Sequence, residues 1–270
     1  MKLYETLQNI LTATAPIQKT ALFRDFYRLY CDGKITRDNQ YPTVVFNQPS
    51  YRNFCIVMDQ KETMRRAKLG GERGQIQLLH SIAHIEYSAI DLALDAVYRF
   101  RDLGEEFERD WLAVADDEVR HFLMIEGLLQ EFGSYYGEFP VHDALFDASV
   151  NTLELLERMA VVPRYLEANG LDATPLILEK LKSFKSTVMI TKIIDALQII
   201  LDEEIDHVLK GDKWFKVACE RKNTHYDCYF DIIEHFYPSC FPRKVGVNCE
   251  ARKLAGFECY ELKKISLVNC

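Results

Sequence analysis

Two short runs of this sequence share one pattern, Asp117-Glu118-Val119-Arg120-His121 and Glu203-Glu204-Ile205-Asp206-His207. Each is an acidic residue followed by Glu-x-x-His. On a helix, residues three apart lie on one face, so each pair aims a carboxylate and an imidazole at one point. One such pair suits a buried salt bridge as well as a metal. Two of them on separate helices, joined by glutamates from two further helices, describe a two-metal carboxylate site inside a four-helix bundle. Oxygen and imidazole donors suit two iron ions, with manganese as the alternative, and the lack of thiolate donors argues against an iron–sulfur cluster.

The apolar stripes decide which acidic residues face inward. Trp111, Val114, Ala115, Phe122, Ile125 and Leu129 form a stripe at helical spacing that contains Glu118, with His121 beside it. Leu197, Ile200, Leu201 and Val208 do the same for Glu204 and His207. A carboxylate in such a stripe is costly unless it is paired or bound to a cation. Glu86 lies in line with Ile82, Ala83, Ile90, Ala93 and Val97 and precedes Glu118 by 32 residues, which suits two helices and a tight turn. For the fourth carboxylate, Glu167 shares a row with Leu153, Leu156, Ala160 and Pro163 and precedes Glu204 by 37 residues. Glu157 is the alternative, and Glu154 the third candidate. The expected ligands are therefore Glu86, Glu118, His121, Glu167, Glu204 and His207. Four glutamates would balance two ferrous ions; without metal they would have to raise their pKa values and take up protons. Asp117 and Glu203 are placed to accept the outer N–H of a ligating histidine, or else are solvated helix residues. His80 and His84 share another face and read as packing or supporting residues.

Four long helical segments must carry these groups, at about 74–101, 104–132, 144–169 and 186–222. A turn falls near Asp102-Leu103-Gly104, Gly170 is expected to stop the third helix, and Thr174-Pro175 to open a short extra one. Upstream, 3–13 and 18–31 read as helices flanking Pro16. Residues 32–60 read as an irregular connector in which Val44-Val45-Phe46 could form a short strand without an evident partner. The tail from Asn223 reads as short helices with loops around Pro238 and Pro242. The expected fold is all-α, with an N-terminal segment 1–71, a four-helix bundle 72–222 and a C-terminal helical extension 223–270.

The 270 residues are 48% hydrophobic and 27% charged, ordinary for a soluble globular chain. The net charge of -8 disfavours nucleic acid as a partner. The most apolar segment, 188–201, is interrupted by Lys192 and Asp195 and falls short of a membrane span. The first 16 residues lack a basic start followed by an apolar stretch, so no signal peptide is expected and the location is expected to be cytoplasmic. Of eight cysteines, six lie late in the chain, without a Cys-x-x-Cys pair. A structural zinc site therefore has little support, and free buried thiols are expected.

The run His84-Ile85-Glu86-Tyr87-Ser88-Ala89-Ile90-Asp91-Leu92-Ala93 resembles the signature of a bacterial family of ferritin-like proteins catalogued as a domain of unknown function, number 455. Further matches are Met159-Ala160-Val161-Val162-Pro163-Arg164, Gly170-Leu171-Asp172-Ala173-Thr174-Pro175, and His207 followed by Gly211, Trp214 and Phe215. Asn248, Glu250-Ala251-Arg252 and Ala255-Gly256-Phe257 are similar to it as well. The resemblance runs from about Met64 to Phe257. It implies a ferritin-like bundle with the ligands named above, and it supplies no reaction.

Three function classes follow as expectations. The leading one is a di-iron oxidase or oxygenase acting on a small molecule with dioxygen or peroxide. The second is iron handling or peroxide removal, against which stand the missing rubredoxin-like cysteine pairs and the extra residues at both ends. The third is a non-catalytic binding protein. An oligomer is compatible with each of them.

Overall fold

Helix signals in the sequence translate directly into the longest elements. The computed structural model describes residues 1–59, 67–268 and 270; Gln60, at the end of the expected connector, and Met64, where the resemblance starts, lie outside the described residues. Among the described residues the chain is all-helical, with isolated β-bridges and no strand. It forms two compact units, Met1–Val150 and Asn151–Cys270. No helix among the described residues is long and apolar enough to cross a membrane.

In the first unit, α1 (Leu3–Leu11) buries Leu3, Leu7 and Ile10. Next, α2 (Pro16–Cys31) starts on Pro16, whose fixed φ and missing N–H suit a first helical position, and buries Phe23 and Phe26. The connector is irregular apart from a 3-10 turn at Ser50–Asn53. Val44-Val45-Phe46 forms no strand; the Val44 N–H donates to the Tyr98 hydroxyl at 3.1 Å, and the Phe46 ring packs on Tyr98.

Two long helices, α3 (Glu72–Arg99) and α4 (Glu105–Glu131), pack on each other. The turn between them is a 3-10 segment, Arg101–Leu103, closed by Gly104 at φ 84, a conformation that favours glycine. With α1 against α3 and α2 against α4, α3 is buried over most of its circumference, including Leu79, Ala83, Tyr87, Ile90 and Leu94. Each fully buried leucine or isoleucine among them is worth about 1.5–3 kcal/mol. Lys19 of α2 is fully buried, donates to Ser50 Oγ at 2.8 Å and forms an ion pair with Asp91 of α3. A loop then leads to α5 (Ala144–Asn151).

The second unit corrects the expected third helix. Instead of one helix over 144–169, the chain leaves α5, resumes at α6 (Leu155–Val161), widens into a π-helical turn (Val162–Glu167) and continues as α7 (Ala168–Lys182). Pro163 lies in the π turn; without an N–H it cannot make the regular bond to the preceding turn. Gly170 does not stop the helix, and Pro175 opens no new one, because both lie inside α7. Pro175 leaves the carbonyl of Leu171, four residues back, without its helical donor. The Asn248 side-chain amide donates to that carbonyl at 3.2 Å.

The longest helix, α8 (Val188–Lys222), starts on Thr187, whose side chain accepts from the Ile190 N–H at 3.2 Å, and ends on Asn223 at φ 51. A Cβ on Gly211 would come within 2.2 Å of Pro163, so the missing side chain lets α8 approach the π turn. The tail folds into α9 (Cys228–Phe236), α10 (Cys249–Leu254) and α11 (Cys259–Ile265). Here the expectation of free buried thiols is overturned for one pair. Cys249 and Cys270 form a disulfide, their Cα atoms 5.6 Å apart, within bridging range. Cys31 and Cys259 are free but exposed. Compartment arguments say nothing about which thiols the fold brings together.

Candidate metal centre

The first unit gathers three of the expected ligands. Glu86 comes from α3, and Glu118 and His121 from successive turns of one face of α4. Glu118 and His121 are fully buried, and Glu86 is 4% exposed. His121 Nδ1 lies 3.2 Å from Glu86 Oε2 and 3.6 Å from Glu118 Oε2. The three groups offer ligand atoms within 4.8 Å of one another, the spacing of a group that could hold a metal ion. Burial opposes a charged imidazole, but the bonds and charges of Glu118 and Glu86 outweigh it and push His121 up to about 11. Metal binding at these groups would compete with protonation of His121. The donors are carboxylate oxygens and an imidazole nitrogen, a set that could hold a metal ion.

The second unit repeats the local geometry. On α8, His207 is fully buried, and its Nδ1 lies 3.6 Å from Oε1 of the half-buried Glu204, matching the separation in the first motif. Glu167 is half-buried at the last position of the π turn, which packs against α8. Glu157 is half-buried on α6, whereas Glu154 is exposed and paired with Lys222 at 3.0 Å. Asp117 forms an ion pair with Arg120, and Glu203 is half-buried.

His80 and His84 are engaged with the loop that follows α4. His84 bonds the Tyr136 hydroxyl through Nδ1 and the His142 carbonyl through Nε2, both at 2.8 Å. His80 Nε2 accepts the N–H of Gly137 at 2.9 Å and of Phe139 at 3.3 Å. Burial pushes both imidazoles down to about 4. They are neutral clamps on this loop.

Sequence reasoning missed the charged core of the second unit. One turn beyond His207, Asp212 pairs with the buried Arg164 at 3.0 Å, and Arg164 also reaches Glu261 at 2.9 Å. The guanidinium stands over the rings of Phe215, Tyr229 and Phe257 at 4.6–4.7 Å. A second buried pair joins Arg252 to Asp172 at 2.7 Å. A Cβ on Gly256, at φ 94, would come within 2.5 Å of Asp212. Arg164, Asp172, Phe215, Arg252, Gly256 and Phe257 all lie in the runs that carried the family resemblance. The signal was present, but without a partner assignment for each charge it could not be read.

The chain belongs to the family described as a protein of unknown function, DUF455, which matches residues 12–263. It is 33% identical over 271 residues to an uncharacterized protein of Haemophilus influenzae, covering 96% of this chain and 92% of that protein. No solved structure matches the chain.

Proposed function

We propose that this DUF455 protein is a di-iron oxidase or oxygenase of ferritin-like architecture, with manganese as the alternative metal and a small molecule as substrate. Its ligands would be Glu86, Glu118, His121, Glu167, Glu204 and His207. The observation that carries this reading is the repeated Glu-x-x-His geometry: in each unit a histidine Nδ1 stands 3.6 Å from the carboxylate three residues before it on a long helix, with the histidine fully buried. A lone structural ion pair gives no reason for that repetition. Bound iron would supply redox chemistry with dioxygen or peroxide. The chain's own residues bind it, neutralise its charge and exclude bulk water. His121 would give up its proton on loading, and Asp117 and Glu203 would orient the histidines.

The test is metal analysis of protein purified without chelator and then reconstituted anaerobically with ferrous iron. Two irons per chain are expected, and His121→Ala and His207→Ala should each lower occupancy by at least about tenfold in apparent affinity. Less than one iron or manganese per chain, or normal loading of both variants, rejects the centre. Oxygen uptake by the reduced protein then separates the classes. Uptake that depends on an added organic substrate supports the oxygenase, whereas turnover of peroxide alone supports peroxide removal.

A further inference from the structure

The end of α8 and the start of α9 bring two thiols into contact. Cys219 and Cys228, nine residues apart, hold their Sγ atoms at 3.8 Å. The intervening turn is set by the backbone: Asn223 adopts φ 51, and the Thr224 N–H donates to the Cys219 carbonyl at 3.0 Å. The first turn of α9 is anchored by Tyr229, fully buried, whose hydroxyl donates to the Arg164 carbonyl at 3.1 Å. A disulfide needs the sulfurs at about 2.0 Å, so closure requires the two Sγ atoms to approach by less than about 2 Å. Cys219 is buried and Cys228 half-buried, so an oxidant from solvent meets Cys228 first.

We propose that Cys219 and Cys228 are an oxidisable dithiol, which small disulfides convert into a second intrachain disulfide. The exchange proceeds in two steps. The Cys228 thiolate attacks one sulfur of glutathione disulfide, forming a mixed disulfide and releasing one glutathione thiolate. The Cys219 thiolate then attacks Cys228 Sγ, forming the Cys219–Cys228 bond and releasing the second glutathione. Two electrons pass to the glutathione disulfide, and the two thiol protons end on the released glutathiones. Burial pushes both thiols up, Cys219 to about 12, so the pair reacts more slowly than an exposed thiol would. The exposed Cys31 and Cys259 serve as internal references.

The experiment incubates the full native chain with glutathione disulfide, quenches with acid, alkylates the remaining thiols and maps the products by fragmentation mass spectrometry. The expected product links Cys219 to Cys228, with two hydrogens lost and both residues closed to alkylation, while Cys31 and Cys259 carry glutathione. In Cys219→Ser, Cys228 should keep its glutathione adduct, and Cys240→Ser should leave the cross-link intact. The proposal is overturned if wild-type Cys228 keeps the adduct as the variant does. Linkage of Cys228 to Cys240 overturns it too, as does full alkylation of both thiols after Cys31 has reacted.

Discussion

His80 on α3 and His121 on α4 belong to the same unit and are driven in opposite directions. His121 meets two carboxylates and is pushed up to about 11, whereas burial holds His80 down at about 4. For His80, burial disfavours the charged ring, and the nearby charge of Glu138 offsets only part of that. A folded pKa below the unfolded one means that stability is complete above the unfolded value near 6.5. It is lost as pH falls from there toward 4, because the unfolded chain takes the proton that the folded one refuses. Lowering pH from 7 to 5 should therefore cost about 2 kcal/mol through His80 alone. Denaturant midpoints at the two pH values check this, and His80→Gln should remove that share of the slope; an unchanged slope would show that the clamp does not titrate. The inward placement of Glu86, Glu118, His121 and His207 was legible because each sits in an unbroken 3.6-residue stripe. The loop partners of His80 and His84 were not, since they lie 57 to 59 and 52 to 58 residues away.

At the scale of elements, α3, α4 and α8 could be read nearly to their ends, because long amphipathic periods are bounded by residues with clear local meaning. The segment between them could not. Counting at 3.6 residues per turn assumes an α-helix throughout, and the π turn around Pro163 shifts every later residue relative to that count. The row used to favour Glu167 included Leu153, which lies outside any helix and is 55% exposed. Gly170 and Pro175, ordinary stop and start signals, both lie inside α7, and for Pro175 a tertiary partner compensates. Asn248 supplies the donor that Pro175 lacks, and the two positions should therefore be coupled. Asn248→Ala removes both this bond and the cap it gives Ala251 N–H, at 3.2 Å, so the single variant overstates the effect. In a Pro175→Ala background the regular helix bond can form, and the cost of Asn248→Ala should shrink by about 0.5–1 kcal/mol. Urea unfolding of the four proteins in this cycle measures the coupling, and an additive result would rule the compensation out.

For the whole molecule, the proposed ligands lie on several helices, so loading the centre should be felt on each of them. Hydrogen exchange of the iron-loaded and metal-free protein should show added protection around Glu118–His121 on α4 and around Glu204–His207 on α8. Protection confined to α4 would leave Glu86, Glu118 and His121 as a self-contained mononuclear site. With free iron at a hundredfold excess over its dissociation constant, loading should add about 2.7 kcal/mol of stability, lost again on chelation. The family match spans both units and adds no reaction, so the chemistry rests on the metal experiments.

The Lys19–Asp91–Ser50 anchor has a practical consequence. An amine with no exposed surface cannot meet an acylating reagent while α2 stays packed on α4 and Lys19 stays paired with Asp91 of α3. Its labelling rate in the native protein therefore counts departures of α2 from the hairpin. Set against the rate in denaturant, it becomes a single-residue clock for opening of the first unit, and Asp91→Asn should make that clock run faster.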